Sequence, residues 1–295
     1  MNISDLKAFV SVAQHRSFSL AAEQLHITQP ATSKRIAALE SSLDTRLFDR
    51  IGRSVKLTTA GEALLPHAKK ILLEVSDSQR AIHNLSGKVS GQLSIGTSHH
   101  IGLHRLPTVL KSFNQRHTDV QLDLHFLDSE AACREVEQGN LELAVVTLPP
   151  LDIEENKSAL TLIQIWNDPL VLVTAHDHPL CSLPQICDSD LLQHTAILPS
   201  HGTFTRTLID QHFDQQTQPL EINLETNYLE TIKMLVSIGQ GWSILPETLV
   251  DITLRPHYGH FSAQRILGIA HHQKRTLSNA AQAFIKTCKS HVKLT

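Results

Sequence analysis

Leu6, Phe9, Val10 and Ala13 recur at i, i+3, i+4 and i+7, the stripe of an amphipathic helix. Ser17-Phe18-Ser19 interrupts it, and Ser19 is the expected N-cap of a short Ala-rich helix over 20–25. After a tight connection at His26-Ile27, Thr28 is placed to cap a third helix. Gln29 and Pro30 fall in its first turn, where a missing N–H costs nothing. Thr32, Ile36, Leu39 and Leu43 form its apolar face, and Gln29, Ser33, Lys34 and the adjacent Arg35 lie opposite. Two short helices, a tight turn and a polar-basic third helix form the layout that lays a helix in the major groove. Residues 46–58 then alternate about Gly52 as two short strands, a hairpin wing. Arg46, Arg50, Arg53 and Lys56 outnumber its one acid, Asp49. Such cations would lie along phosphates and fix register rather than read bases.

Thr59-Ala60-Gly61-Glu62 has the form of a capping box opening a new helix. Its apolar stripe continues through Leu64, Leu65, Ala68, Ile71, Leu72, Val75 and Ile82 to Leu85. A rod of roughly 40 Å results at about 1.5 Å per residue. A helix this long and one-sided needs a partner, either its own body or a second copy. Gly87 and Ser90-Gly91 mark the linker that follows.

From residue 92 the pattern alternates between short apolar runs and helical stripes, which argues for an α/β domain. Strands are expected at 93–95, 120–127, 143–146, 161–165, 170–174, 196–198, 222–225 and 265–270. Helices are expected over 103–113, 129–138, 203–213, 229–238 and 277–290, with Pro107 starting the first after a single turn. Two Ser/Thr-rich turns link a strand to a helix: Thr97-Ser98-His99-His100, and Ser200 through Thr203 to Thr205. Such turns aim hydroxyls and free N–H groups at one point, which suits an anion. Thr147 follows another buried strand and completes the ring. Ligands of open α/β sheets sit beyond the carboxyl ends of the strands.

Composition narrows the class. The chain has 295 residues, 41% of them hydrophobic, enough for two or three packed units. The net charge of −3 hides an asymmetry: residues 1–90 carry a net +4 and the remainder −7. A basic front on an acidic body points to nucleic acid as the partner of the front alone. No run approaches the roughly 18–20 apolar residues of a membrane span. The first residues lack the basic-then-apolar layout of a signal peptide, so a cytoplasmic protein is expected.

With these residues in view, the chain resembles the LysR-type transcription regulators over nearly its whole length. The matching stretches are SFSLAAEQLHITQPATSKRIAALE, LFDR and LTTAGEALL, then GQLSIGTSHH…LPTVLKSF, EQGNLELAVVTLP, DHPL and IGQGWSILPE. Asp44 departs from the pattern, standing where the family usually has Gly. The resemblance implies a winged helix-turn-helix over 1–58, a linker and dimerisation helix over 59–90, and an effector domain over 91–295. That domain would have a periplasmic-binding-protein-like α/β fold. Its subdomain I would take about 91–162 and 266–295, and subdomain II about 163–265.

By this resemblance Ser19, Gln29, Pro30, Ser33, Lys34, Arg35, Arg50 and Arg53 face DNA. Ser98, His99, His100, Thr147, Ser200, Thr203, Thr205 and Asn227 line an effector cleft between the subdomains. The function implied is sequence-specific, two-fold DNA binding controlled by a small anionic effector. The expected partners are a double-stranded operator, the effector, further copies in a homodimer or homotetramer, and RNA polymerase, with no membrane.

Other chemistries are weaker. The 19 histidines include the adjacent pairs His99-His100 and His271-His272, but no HExxH or similar zinc spacing. No metal or cofactor is expected. The four cysteines include no CxxC. A well-known family member senses peroxide through a cysteine aligning with Ser200–Thr205, where this chain has none, which counts against a cysteine switch and leaves redox control through cysteines as the weaker rival reading. No Ser-His-Asp order, P-loop or GxGxxG supports an enzyme, and the DNA module argues against a transport solute-binding protein.

Overall fold

A computed structural model describes residues 1–51, 54–149, 159–213, 220–261 and 263–291. The chain divides into two compact units, Met1–Ser86 and Gly87–Thr295.

In the first unit, α1 (Ile3–His15), α2 (Phe18–Gln24) and α3 (Gln29–Leu43) precede a hairpin of β1 (Phe48–Ile51) and β2 (Ser54–Leu57) and a long helix α4 (Thr59–Asn84). Leu6, Phe9 and Val12 of α1 pack with Ile36 and Leu39 of α3 and with Leu47 and Phe48. The stripe of α1 is thus shifted from expectation. Ala8 and Val12 are buried, while Val10 and Ala13 are half-buried. Leu43 is exposed rather than in the core.

Two caps differ from expectation. Ser17, not Ser19, caps α2, accepting the Leu20 N–H at 3.3 Å. Phe18 must lie inside the helix to pack edge-on against Phe48, 5.9 Å between ring centroids, and this pulls the start forward. Thr58, not Thr59, caps α4. Its hydroxyl accepts from the Gly61 N–H at 3.1 Å and donates to the Arg46 carbonyl at 2.7 Å. Gly61 is required here, because a Cβ would lie 2.2 Å from the Leu47 carbonyl oxygen. Thr28 caps α3 as expected, by way of the Ala31 N–H.

In the second unit, β3 (Gly91–Thr97) pairs in parallel with β4 (Val120–Phe126) and β5 (Leu143–Thr147). Between β3 and β4 run α5 (His99–His104) and α6 (Leu106–Arg116), and α7 (Ser129–Gln138) joins β4 to β5. The two strands expected at 161–165 and 170–174 are one strand, β6 (Leu160–Thr174). It continues through Pro169 because that residue sits where β6 changes partners and no N–H is needed. Residues 160–169 pair with β11 (Gln264–His272), and 170–174 pair with β9 (Ser243–Pro246) and β10 (Arg255–His257).

One strand therefore belongs to both subdomains. β11 also pairs with β5 and so lies between β5 and β6, while β7 (Ala196–Leu198) and β8 (Ile222–Glu225) pair in parallel as a two-stranded sheet bridged to Trp242 through Ala196. α8 (Asp188–Leu191), α9 (Phe204–Phe213) and α10 (Leu229–Ser237) belong to the second subdomain, and α11 (Asn279–His291) returns to the first. The first subdomain's core joins Leu93, Ile95 and Val145 to Val109, Phe113 and Phe284. The second has separate cores around Trp242 and around Ile232.

The Asp44 departure has a local consequence. It ends α3 at φ 48°, ψ 38°, the left-handed region that a residue with a Cβ adopts at a cost. Asp44→Gly is expected to stabilise the first unit by up to about 1 kcal/mol, the relief of the left-handed strain less glycine's larger entropy loss on folding. A rise in its thermal midpoint checks this.

Candidate functional sites

On α3, Gln29, Pro30 and Lys34 are exposed and Ser33 and Arg35 half-buried, with the Gln29 amide donating to Ser33 Oγ at 3.0 Å. This face is opposite Thr32, Ile36 and Leu39, as helical period requires. Ser19 is exposed on the first turn of α2. Arg50 lies in β1, its side chain outside the described residues, as is Arg53. The Glu40 carboxylate, which sequence reading passed over, accepts from the Leu47 N–H at 2.7 Å and the Phe48 N–H at 3.3 Å. It fixes the wing to the far end of the same helix.

In the second unit both Ser/Thr-rich turns open onto one half-open cleft with a free volume of about 50 Å³. Ser98, His100, Thr147, Thr203, Thr205 and Asn227 all line it. The Ser98 hydroxyl caps α5, and the Thr147 N–H donates to Ser129 Oγ at 3.1 Å. Thr203 caps α9 rather than beginning it, its hydroxyl accepting from the Arg206 N–H at 3.2 Å.

Two expected residues are placed elsewhere. His99 is exposed at the rim between Phe126 and Tyr228, 5.2 and 5.0 Å from their ring centroids. One residue along a helix turns a side chain by about 100°, so His100 points inward and His99 out. Ser200 does not line the cleft. Its N–H goes to Asn227 Oδ1 at 3.1 Å and its carbonyl to the Thr203 hydroxyl at 3.0 Å.

The groups that sequence reading missed are the charged ones. Asp168 is fully buried between two guanidiniums. Arg105 Nη2 donates to it at 2.9 Å, and Arg265 donates through Nε at 3.1 Å and through Nη2. Burial alone would raise the Asp168 pKa, but Arg265 and then Arg105 outweigh it and hold the carboxyl below its ordinary range. Arg265 Nη1 reaches Thr205 Oγ1 at 3.1 Å, carrying the network to α9. An acid in WNDPL and a base opening RILGIA, each inside an apolar strand, were the available signals.

Polar contacts cross the cleft between the two subdomains. Asn227 Nδ2 donates to Asp128 Oδ2 at 2.8 Å, and His104 Nε2 lies 3.1 Å from Glu230 Oε1. The Phe204 N–H, at the start of α9, donates to Glu130 Oε1 at 2.5 Å. Burial raises the Glu130 pKa. His100 is buried with neither ring nitrogen hydrogen-bonded, and burial lowers its pKa.

Of the four free cysteines, Cys133 and Cys288 are buried, and burial pushes both thiols up to about 12. Neither is a ready thiolate.

A helix-turn-helix unit with a hairpin wing, joined to two α/β subdomains around a polar cleft, defines a DNA-binding regulator with an effector domain. Family models agree. Residues 3–62 match the bacterial regulatory helix-turn-helix protein, lysR family, and residues 86–293 match the LysR substrate binding domain. The chain belongs to the LysR family of transcriptional regulators. The HTH-type transcriptional regulator CfxR of Cupriavidus necator is 31% identical over 294 residues, covering 96% of this chain and 89% of that one. An uncharacterised HTH-type transcriptional regulator from the ibpB-leuC intergenic region of Azotobacter vinelandii is 62% identical over 107 residues, 36% of this chain and 74% of its own. A full-length OxyR point variant from Pseudomonas aeruginosa shares the fold, with a TM-score of 0.71, 21% identity and 98% of each chain covered. Among the described residues, no helix is long and apolar enough to cross a membrane.

Asp168→Asn leaves two guanidiniums facing a neutral group and is expected to destabilise the second unit by about 3–5 kcal/mol, read as a lower urea midpoint. The folded carboxyl titrates below its unfolded value of about 3.9. Its contribution is therefore full above that pH and fades as pH falls toward the folded pKa. The variant should lack that acid-side loss.

Proposed function

We propose that a small carboxylate effector binds the cleft by taking the N-terminus of α9 from Glu130, and that this opens or re-sets the contacts between the subdomains. The observation that carries this is the Glu130 carboxylate on the Phe204 N–H. The protein already places a carboxylate of its own at the positive end of a ten-residue helix. Ser98, Ser129, Thr147 and Thr203 surround the position with hydroxyls, which suits a hydroxylated acid. The effector controls the protein only through different affinities for the two arrangements. The roles are those of a regulator and not of an enzyme.

On the DNA side, Gln29, Ser33 and Lys34 read the major groove, while Pro30, Arg35, Ser19 and the wing's Arg50 and Arg53 set the register. A second copy covers α4. Only Gly61 and Ala68 of this 26-residue helix are buried, and Ile71, Val75 and Ile82 line an open apolar groove. Paired α4 helices present two recognition helices to a two-fold operator. The particular effector class, the dimer and any tetramer, and contact with RNA polymerase all belong to this reading, as does a cytoplasmic location.

Thermal unfolding of the full chain against matched small carboxylates, amides and amines tests the effector. A carboxylate at 100 times its Kd stabilises by about 2.7 kcal/mol. Ser98→Val with Thr147→Val should remove that shift and spare DNA binding. A shift with amines and none with carboxylates would sink the proposal. On an operator selected from random duplexes, Lys34→Ala is expected to cost about 1–3 kcal/mol. In the same assay, Ile71→Glu should weaken binding and sediment as a monomer. Unchanged affinity in Lys34→Ala removes that residue from the interface.

A further inference from the structure

Three potential ligand atoms meet beside the cleft, outside the effector position just described. His100 and His104 stand one turn apart on α5, and Glu230 comes from α10 in the other subdomain. His104 Nε2 is 3.1 Å from Glu230 Oε1, and His100 Nδ1 is 3.7 Å from the same oxygen. One ligand atom from each residue lies within 4.8 Å of the others. Ligands at about 2.0–2.1 Å from a common zinc ion require only a small contraction of this triangle.

The surroundings point to a ligand rather than to a simple ion pair. His100 is 3% exposed, yet neither ring nitrogen has a hydrogen-bond partner. A buried imidazole with both nitrogens unpaired is costly. Its Nδ1 faces Glu230, while its Nε2 faces Asp168 Oδ2 at 3.8 Å. Asp168 thus stands behind the nitrogen that would not bind the metal, the side from which a carboxylate orients a ligating histidine once it comes within hydrogen-bond reach. Asp168 is itself held in place by Arg105 and Arg265.

We propose that His100 Nδ1, His104 Nε2 and the Glu230 carboxylate form a binding site for a divalent transition metal that bridges the two effector subdomains. Two imidazoles and one carboxylate suit zinc, nickel or cobalt, and exclude magnesium and calcium, which take oxygen ligands. Two ligands belong to the first subdomain and one to the second, so a bound ion ties the subdomains together next to the cleft that His100 also lines. Metal occupancy then biases the same arrangement that the effector biases, as a second input to the regulator. This site stands or falls separately from the carboxylate effector, because it uses neither Glu130 nor the α9 N-terminus.

The test is zinc binding to the full chain, stripped with chelator and dialysed, followed by calorimetry, metal analysis and thermal unfolding. Wild type is expected to take up a Zn²⁺ ion that raises its melting temperature. His104→Ala and Glu230→Gln should each weaken that uptake at least about tenfold. Glu230→Gln is nearly isosteric and keeps the fold, which far-UV circular dichroism verifies. Asp188, His212 and His260 form another group with ligand atoms close together, within the second subdomain. His212→Ala should therefore leave the affinity unchanged. Cobalt should give a visible ligand-field band that disappears in His104→Ala. No uptake by the wild type, equal uptake by both site variants, or loss in His212→Ala alone would each overturn the site.

Discussion

Asp168 lies at the point where β6 leaves one sheet for the other, and the effector domain is organised around the neutralisation of its charge. A carboxylate with no exposed surface is tolerable only when paired and hydrogen-bonded. Its partners come from the junction of α5 with α6 and from the start of β11. Arg265 then hands a hydrogen bond to Thr205 on α9. The network thus runs from the first subdomain, through β6 and the start of β11, to α9 in the second. Arg265 and Thr205, its last members, also line the cleft. His100 is pressed against the same carboxylate, which ties the orientation of that ring to the hinge.

The cleft's chemistry follows from what closes it. Asp128 and Glu130, at the start of α7, reach across to Asn227 and to the first N–H of α9. These contacts lie at the cleft's lining, whereas the Asp168 carboxylate below them is wholly buried. Continuous strands and an ion cluster thus join the subdomains at the hinge, while only a few polar side-chain and N–H contacts join them at the mouth. Arg206 supports the mouth from behind, donating to the Pro199 carbonyl at 3.0 Å and to Glu225 at 2.9 Å.

The DNA-binding unit is built on different physics, mainly local. Its helices are specified by apolar period and by caps, and its wing is fixed by a few hydrogen bonds to Glu40 and by the close approach at Gly61. The exposed polar face of α3 is what remains after Thr32, Ile36 and Leu39 are buried. The basic balance of the first ninety residues and the acidic balance of the rest keep DNA attraction on this unit.

Sequence by itself determined the order and kind of most elements, the helix-turn-helix with its wing, the long α4 and the convergence of Ser98, Thr147, Thr203, Thr205 and Asn227. Periodicity, caps and turn chemistry act over a few residues and can be read along the chain. Tertiary structure alone decided that 160–174 is one strand shared by two sheets, that Ser17 and Thr58 are the true caps, and that His99 faces out while His100 faces in. It alone also brought together Arg105, Asp168 and Arg265, which are separated by 63 and 97 residues. Burial of a charge is settled by which distant partner arrives beside it, and no local pattern carries that information.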